Sequence, residues 1–129
     1  MQHNKNSRIL IADDEGAMRN LLASILRQAG YHRIDQANDG QRALDMLTEA
    51  GAGYALAFID IDMPAFSGLE VMAMARSSQV RCFWVIVSGH SAVDNVLAAL
   101  KGGAGGFVVK PYNVQKIHDV LTKFESEKP

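Results

Sequence analysis

A chain of 129 residues, 48% hydrophobic and 21% charged, has the composition of one globular domain, long enough to bury about two thirds of its unfolded surface. That balance excludes disordered and fibrous architectures. A net charge of −1 leaves no basic excess to hold nucleic acid or an anionic membrane by electrostatics alone, so neither is expected as a direct partner.

The N-terminal stretch Met1 to Arg8 is polar and lacks the apolar region of a signal peptide, and the longest apolar run, Cys82 to Val87, is too short to cross a bilayer. With a lone cysteine inside that run, the expected location is the cytoplasm, and Cys82 reads as a small buried hydrophobe. Along the chain, short apolar runs alternate five times with segments of helical periodicity, the pattern of βαβ units around a parallel sheet.

The first strand is expected over Ile9 to Ala12. The helix after it carries Met18, Leu21, Leu22, Ile25, Leu26 and Ala29 on one stripe and stops at Gly30. Arg33 to Ala37 is a polar strand that belongs at an edge, followed by a helix from Gln41 to Ala50 with Ala43, Leu44 and Leu47 inward. Ala55 to Ile59 is the third strand, and a helix after Ser67-Gly68 carries Leu69, Met72 and Ala73. Cys82 to Val87 is the fourth strand, and its following helix shows Val93, Val96, Leu97 and Leu100. The glycines from Gly102 to Gly106 lead from a helix into a strand, the reverse of a phosphate-binding loop, so they read as a turn. Phe107 to Val109 is the fifth strand, and the last helix shows Val114, Ile117, Leu121 and Phe124.

Ligands of a parallel sheet wound on both sides sit beyond the carboxyl ends of its strands. Asp13, Asp60, Ser88 and Lys110 each stand at such an end. Carboxylates gathered there repel one another unless a hard cation with oxygen ligands joins them, and Mg²⁺ is the natural candidate. The four histidines are scattered and two-cysteine spacings are absent, so no zinc site competes. On its own, Asp60 fits a metal ligand, a general base or a turn residue.

Asp13-Asp14, the run Asp60-Ile61-Asp62-Met63-Pro64 with Gly68 behind it, Ser88-Gly89, and Phe107-Val108-Val109-Lys110-Pro111 occur in an order and spacing that resemble a response-regulator receiver domain of two-component signalling. The likeness implies a single doubly wound α/β domain over residues 7–124, with tails at 1–6 and 125–129. Its five-stranded parallel sheet would have helices on both faces and the flavodoxin-like order 2-1-3-4-5.

It further implies that Asp60 accepts a phosphoryl group from a phosphohistidine on a sensor kinase or histidine phosphotransfer protein. Asp14 and Asp60 would ligate Mg²⁺ directly, Asp62 through its main-chain carbonyl, and Asp13 directly or through water. Lys110 and Ser88 would contact the phosphoryl oxygens. Ser88 would act as a switch with Phe107, which lacks the hydroxyl of the tyrosine common there, and the Lys110-Pro111 bond is often cis in the family. Asp62 and His90 flank the path of attacking water and are expected to tune dephosphorylation. Output is expected to reach a protein effector through the fourth helix, fifth strand and fifth helix. The domain is then a phosphoacceptor rather than an enzyme.

Three other readings share these residues. The chain could be the receiver portion of a longer regulator with a DNA-binding or enzymatic effector, or a receiver that binds partners without phosphorylation. It could also be a haloacid-dehalogenase-like phosphohydrolase using Asp60-Ile61-Asp62, although such enzymes carry that element after the first strand.

Overall fold

In a computed structural model, which describes residues 5–89 and 93–127, strands and helices alternate strictly along the chain. Strands β1 (Arg8–Ala12), β2 (Ile34–Ala37), β3 (Tyr54–Asp60), β4 (Phe83–Ser88) and β5 (Gly106–Val109) form one parallel sheet in the order β2-β1-β3-β4-β5. Helices α1 (Gly16–Gln28), α2 (Gly40–Thr48), α3 (Gly68–Ser77), α4 (Val93–Gly102) and α5 (Val114–Ser126) cover both faces. The order expected from the sequence is the one observed.

Because strand side chains alternate between faces, residue parity decides which core each one enters. Ile9, Ile11, Leu56, Phe58, Val85, Val87 and Val108 pack under α1 and α5 with Leu22, Leu26, Ile117 and Phe124. Leu10, Ala12, Ala57, Ile59, Trp84 and Ile86 pack on the other side with Ala43, Leu47, Val71, Met72 and Ala99. β1, β3 and β4 are therefore buried on both faces, which is why they read as unbroken apolar runs.

Several boundaries and faces depart from the sequence reading. Ser88 pairs with Val109 in register and ends β4 instead of following it, while Cys82 precedes the strand. α2 stops at Thr48 because Glu49 is extended, and Gly51 turns with a positive φ of 75°. Leu21, 40% exposed, lies off the buried stripe of α1. On α3, Val71, Met72 and Ala75 face inward while Ala73 is exposed. Among the residues of α4 whose burial is described, Ala99 is the buried one, whereas Leu97 and Leu100 are 49% and 54% exposed. A small residue at the contact lets α4 lie close to the sheet, and its leucines are left facing outward.

α5 continues through Ser126, past the expected start of a tail, and its last turn is tied to the N-terminal segment. Lys5 pairs with Glu125 at 2.8 Å and lies 4.4 Å above the Tyr31 ring, whose hydroxyl donates to the same carboxylate.

Candidate functional site

Parity also selects the site. Asp13 continues the Ile9, Ile11 face of β1, Asp60 the Leu56, Phe58 face of β3, and Lys110 the Val108 face of β5, so three charged side chains emerge on one side of the sheet. Lys110 Nζ lies 2.8 Å from Asp60 Oδ2 and 2.8 Å from Asp13 Oδ2. Both carboxylates are almost fully buried. Glu15, which no sequence motif singled out, places Oε1 3.4 Å from the same ammonium.

The loops that hold these groups are themselves tied down. Asp13 Oδ1 accepts from the Glu15 amide at 2.9 Å, and Asp60 Oδ1 accepts from the Asp62 amide at 3.2 Å. A Cβ on Gly68 would collide with the Asp60 carbonyl, so the first residue of α3 must be glycine for the helix to start against the end of β3. Ser67 and Glu70 close a reciprocal capping box around that start. Ahead of the box, Ala65 adopts a φ of 71° within a three-residue turn in which the Phe66 amide donates to the Pro64 carbonyl. At the fifth strand, the Lys110-Pro111 bond is cis, and Lys116 Nζ donates to the carbonyls of Val109 and Pro111 on either side of Lys110.

Electrostatics follow from burial. Desolvation pushes the Asp60 carboxyl up to about 6; the Lys110 hydrogen bond and the Asp62 amide pull it down, and the Asp13 charge adds to the rise. For Lys110, burial disfavours the ammonium, but its two buried carboxylate partners outweigh that and hold it charged. Burial pushes the Cys82 thiol up, which suits a packing role and not a nucleophile.

An open crevice of about 290 Å³ leads to these groups, lined by Asp14, Glu15, Asp60, Asp62, Gly89 and Lys110. Larger grooves run between α2 and α3 and along β5 and α5, but neither meets the carboxylate cluster. Carboxylate oxygens of Asp13, Asp14 and Glu15 lie within 4.8 Å of one another. Among the described residues, Asp13 Oδ2 is the buried side-chain polar atom left without a hydrogen bond, since Lys110 faces it as an ion pair only. A buried carboxylate oxygen held only by an ammonium, beside two further carboxylates, is donor chemistry that fits a hard divalent cation. The tight carboxylate group is thus Asp13, Asp14 and Glu15, with Asp60 held to Lys110.

Ser88 and Phe107 have the opposite parity. Ser88 is buried at the end of β4, and Phe107, level with Ile86, is half-buried against the core under α2, α3 and α4. The two therefore share a face as diagonal neighbours across the β4–β5 pair. His90 lies outside the described residues.

The model of the family described as response regulator receiver domain matches residues 9–122. The chain belongs to this family. The receiver is 27% identical over 122 residues to chemotaxis protein CheY-3 of Vibrio cholerae, covering 93% of this chain and 92% of that protein. It is 33% identical over 110 residues to the transcriptional regulatory protein TcrA of Mycobacterium tuberculosis, covering 85% of this chain and 42% of TcrA. Among solved structures, the response regulator TrrA of Thermotoga maritima, crystallised with Mg(2+)-BeF, superposes with a TM-score of 0.79 at 32% identity over 92% of this chain and 98% of TrrA. As a receiver, the protein is a phosphorylation-activated signalling switch, a regulatory phosphoacceptor domain of the two-component type. Among the described residues, no helix is long and apolar enough to cross a membrane.

Proposed function

We propose that Asp60 is the phosphoacceptor, with Lys110 as its charge partner and a divalent cation, Mg²⁺, held by Asp13, Asp14 and Asp60 with the main chain of Asp62. The observation that carries this reading is the convergence of buried Asp13 and Asp60 on Lys110, each 2.8 Å from its ammonium, with Asp60 and Lys110 lining one open crevice. That TrrA, 32% identical, was crystallised with Mg(2+)-BeF supports magnesium as the cation. When bound, the cation offsets charge on the phosphoryl oxygens.

In the transfer, an Asp60 carboxylate oxygen forms the new P–O bond while the P–N bond of a donor phosphohistidine breaks, and the imidazole nitrogen leaves with its electron pair. Lys110 is placed to donate to a phosphoryl oxygen as Asp60 gives up its own charge. Ser88 supplies a hydroxyl from the adjacent strand end. Water entering the crevice beside Asp62 reverses the modification, and the exposed Asp62 carboxylate, together with His90, is assigned to setting its rate.

Output follows from Ser88 and Phe107 sharing a face, so that a shift of the serine toward the phosphoryl group opens space the ring can use. We assign the effector surface to α4, β5 and α5, where Leu97, Leu100 and Val114 are exposed apolar side chains. Donors are sensor kinases or phosphotransfer proteins. A hydrolase using Asp60-Ile61-Asp62 fits less well, because that element follows the third strand. On this reading the domain is a phosphoacceptor switch that turns over no other substrate.

Incubation with Mg²⁺ and acetyl phosphate should add one phosphoryl group by mass to the wild-type chain and none to Asp60→Asn. Equal labelling of the two, or continued release of phosphate from a small ester, sinks the assignment.

A further inference from the structure

The edge strand β2 reads in sequence as polar surface, yet Gln36 is joined to the acidic loop. Its Oε1 accepts from Arg19 Nε at 3.0 Å, and the same guanidinium donates through Nη1 to the main-chain carbonyl of Asp13 at 2.7 Å. Arg19 lies in the first turn of α1, half-buried, as is Gln36.

Every other polar atom of Asp13 already has its own restraint. Its amide donates to the Ala37 carbonyl at 3.1 Å, Oδ1 accepts from the Glu15 amide, and Oδ2 faces Lys110. The carbonyl is the atom through which the chain leaves β1, and its peptide carries Asp14. Rotation of that peptide would re-aim both carboxylates. A guanidinium suits the task because its planar fork reaches two acceptors in fixed geometry, which an ammonium on a flexible stem does not.

We propose that Arg19 is a positioning residue for the acidic site: braced by Gln36 of the edge strand, it fixes the Asp13-Asp14 peptide so that both carboxylates are set to take up a divalent cation. The inference rests on the magnesium reading above. It makes β2, which contributes no side chain to the crevice, part of the site's support.

The test is Mg²⁺ affinity of the full chain by calorimetry for wild type, Arg19→Lys, Gln36→Met and the double variant. Arg19→Lys keeps the charge and should weaken Mg²⁺ by about tenfold, the scale of an outer support around a metal site. Gln36→Met should weaken it less, and should add nothing in the Arg19→Lys background. Wild-type affinity in Arg19→Lys, or additive losses in the double variant, overturns the proposal. Amide exchange in cation-free buffer gives a second reading. The Asp13 and Glu15 amides should exchange faster in Arg19→Lys while Leu22 in α1 stays protected. Unchanged exchange at both, or faster exchange throughout α1 and β1, also overturns it. A wild-type chain that takes up no Mg²⁺ fails the magnesium reading alone, because amide exchange still judges Arg19.

Discussion

Asp60 sits in a balance between burial, which disfavours its charge, and Lys110, which favours it. Burial wins, so the folded chain holds the Asp60 proton more tightly than the unfolded chain, with its carboxyl up to about 6 from 3.8. A raised carboxyl contributes stability that is fully present below the unfolded value and is lost as pH rises through the folded one. Asn at this position does not titrate. In cation-free buffer, the stability of Asp60→Asn relative to wild type should therefore rise across pH 4 to 6 and then level off, as followed by urea unfolding. A flat or falling difference over that window would contradict the burial argument. Asp13, Asp60 and Lys110 were legible as site residues because each follows an apolar run. Glu15 and Arg19 were not, since what brings them to the site is the direction of α1 and the reach of their side chains, and no local pattern reports either.

Three helices end alike. Past α1, α3 and α4 the residues Gly30, Gln79 and Gly103 take positive φ values of 102°, 65° and 103°. In each case the next amide bonds back to the carbonyl five residues earlier: Tyr31 to Leu26, Val80 to Ala75, Ala104 to Ala99. Gln79 is the exception in carrying a side chain in a left-handed position, at a cost of about 1 kcal/mol. Gln79→Gly should raise stability by about 0.5–1 kcal/mol in urea unfolding, allowing for the extra freedom of glycine in the unfolded chain. Phosphoryl uptake should not change, because α3 starts with Gly68 against Asp60 and Gln79 lies past its other end. A loss of stability would show that the Gln79 side chain makes a contribution larger than its strain. The elements themselves were legible from periodicity. Their faces were less so: on α4, apolar spacing marked Leu97 and Leu100, while the small Ala99 makes the buried contact.

At the scale of the whole molecule, the carboxyl edge of the sheet gathers acidic groups that the rest of the fold must tolerate. Lys110 compensates Asp13 and Asp60, and Asp14 remains exposed at the crevice. A cation that binds only the folded chain stabilises it by mass action, by about 2.7 kcal/mol at a hundredfold excess over Kd, or roughly 10 °C in Tm. Mg²⁺ should produce such a rise in a thermal scan, and Asp13→Asn and Asp14→Asn should each lose most of it. An undiminished rise in both variants would move the cation to another part of the surface. The opposite edge of the molecule is closed separately, by Lys5, Tyr31 and Glu125, where Lys5 and the Tyr31 hydroxyl hold the Glu125 carboxyl below its usual range.

By itself the amino-acid sequence determined the alternation of elements, the edge position of β2 and the strand ends where chemistry gathers. Apolar runs, helical stripes and turn residues are local signals, read over a few neighbouring positions. The resemblance carried by Asp13-Asp14, Asp60, Ser88 and Lys110-Pro111 extended this to the sheet order. Only the tertiary structure decided that Asp60 is tied to Lys110 while Asp13, Asp14 and Glu15 cluster, that Ser88 shares a face with Phe107, and that Gln36 braces the acidic loop through Arg19. Those outcomes depend on strand register, on desolvation, and on charges far apart in the chain, quantities that exist only after the sheet has formed.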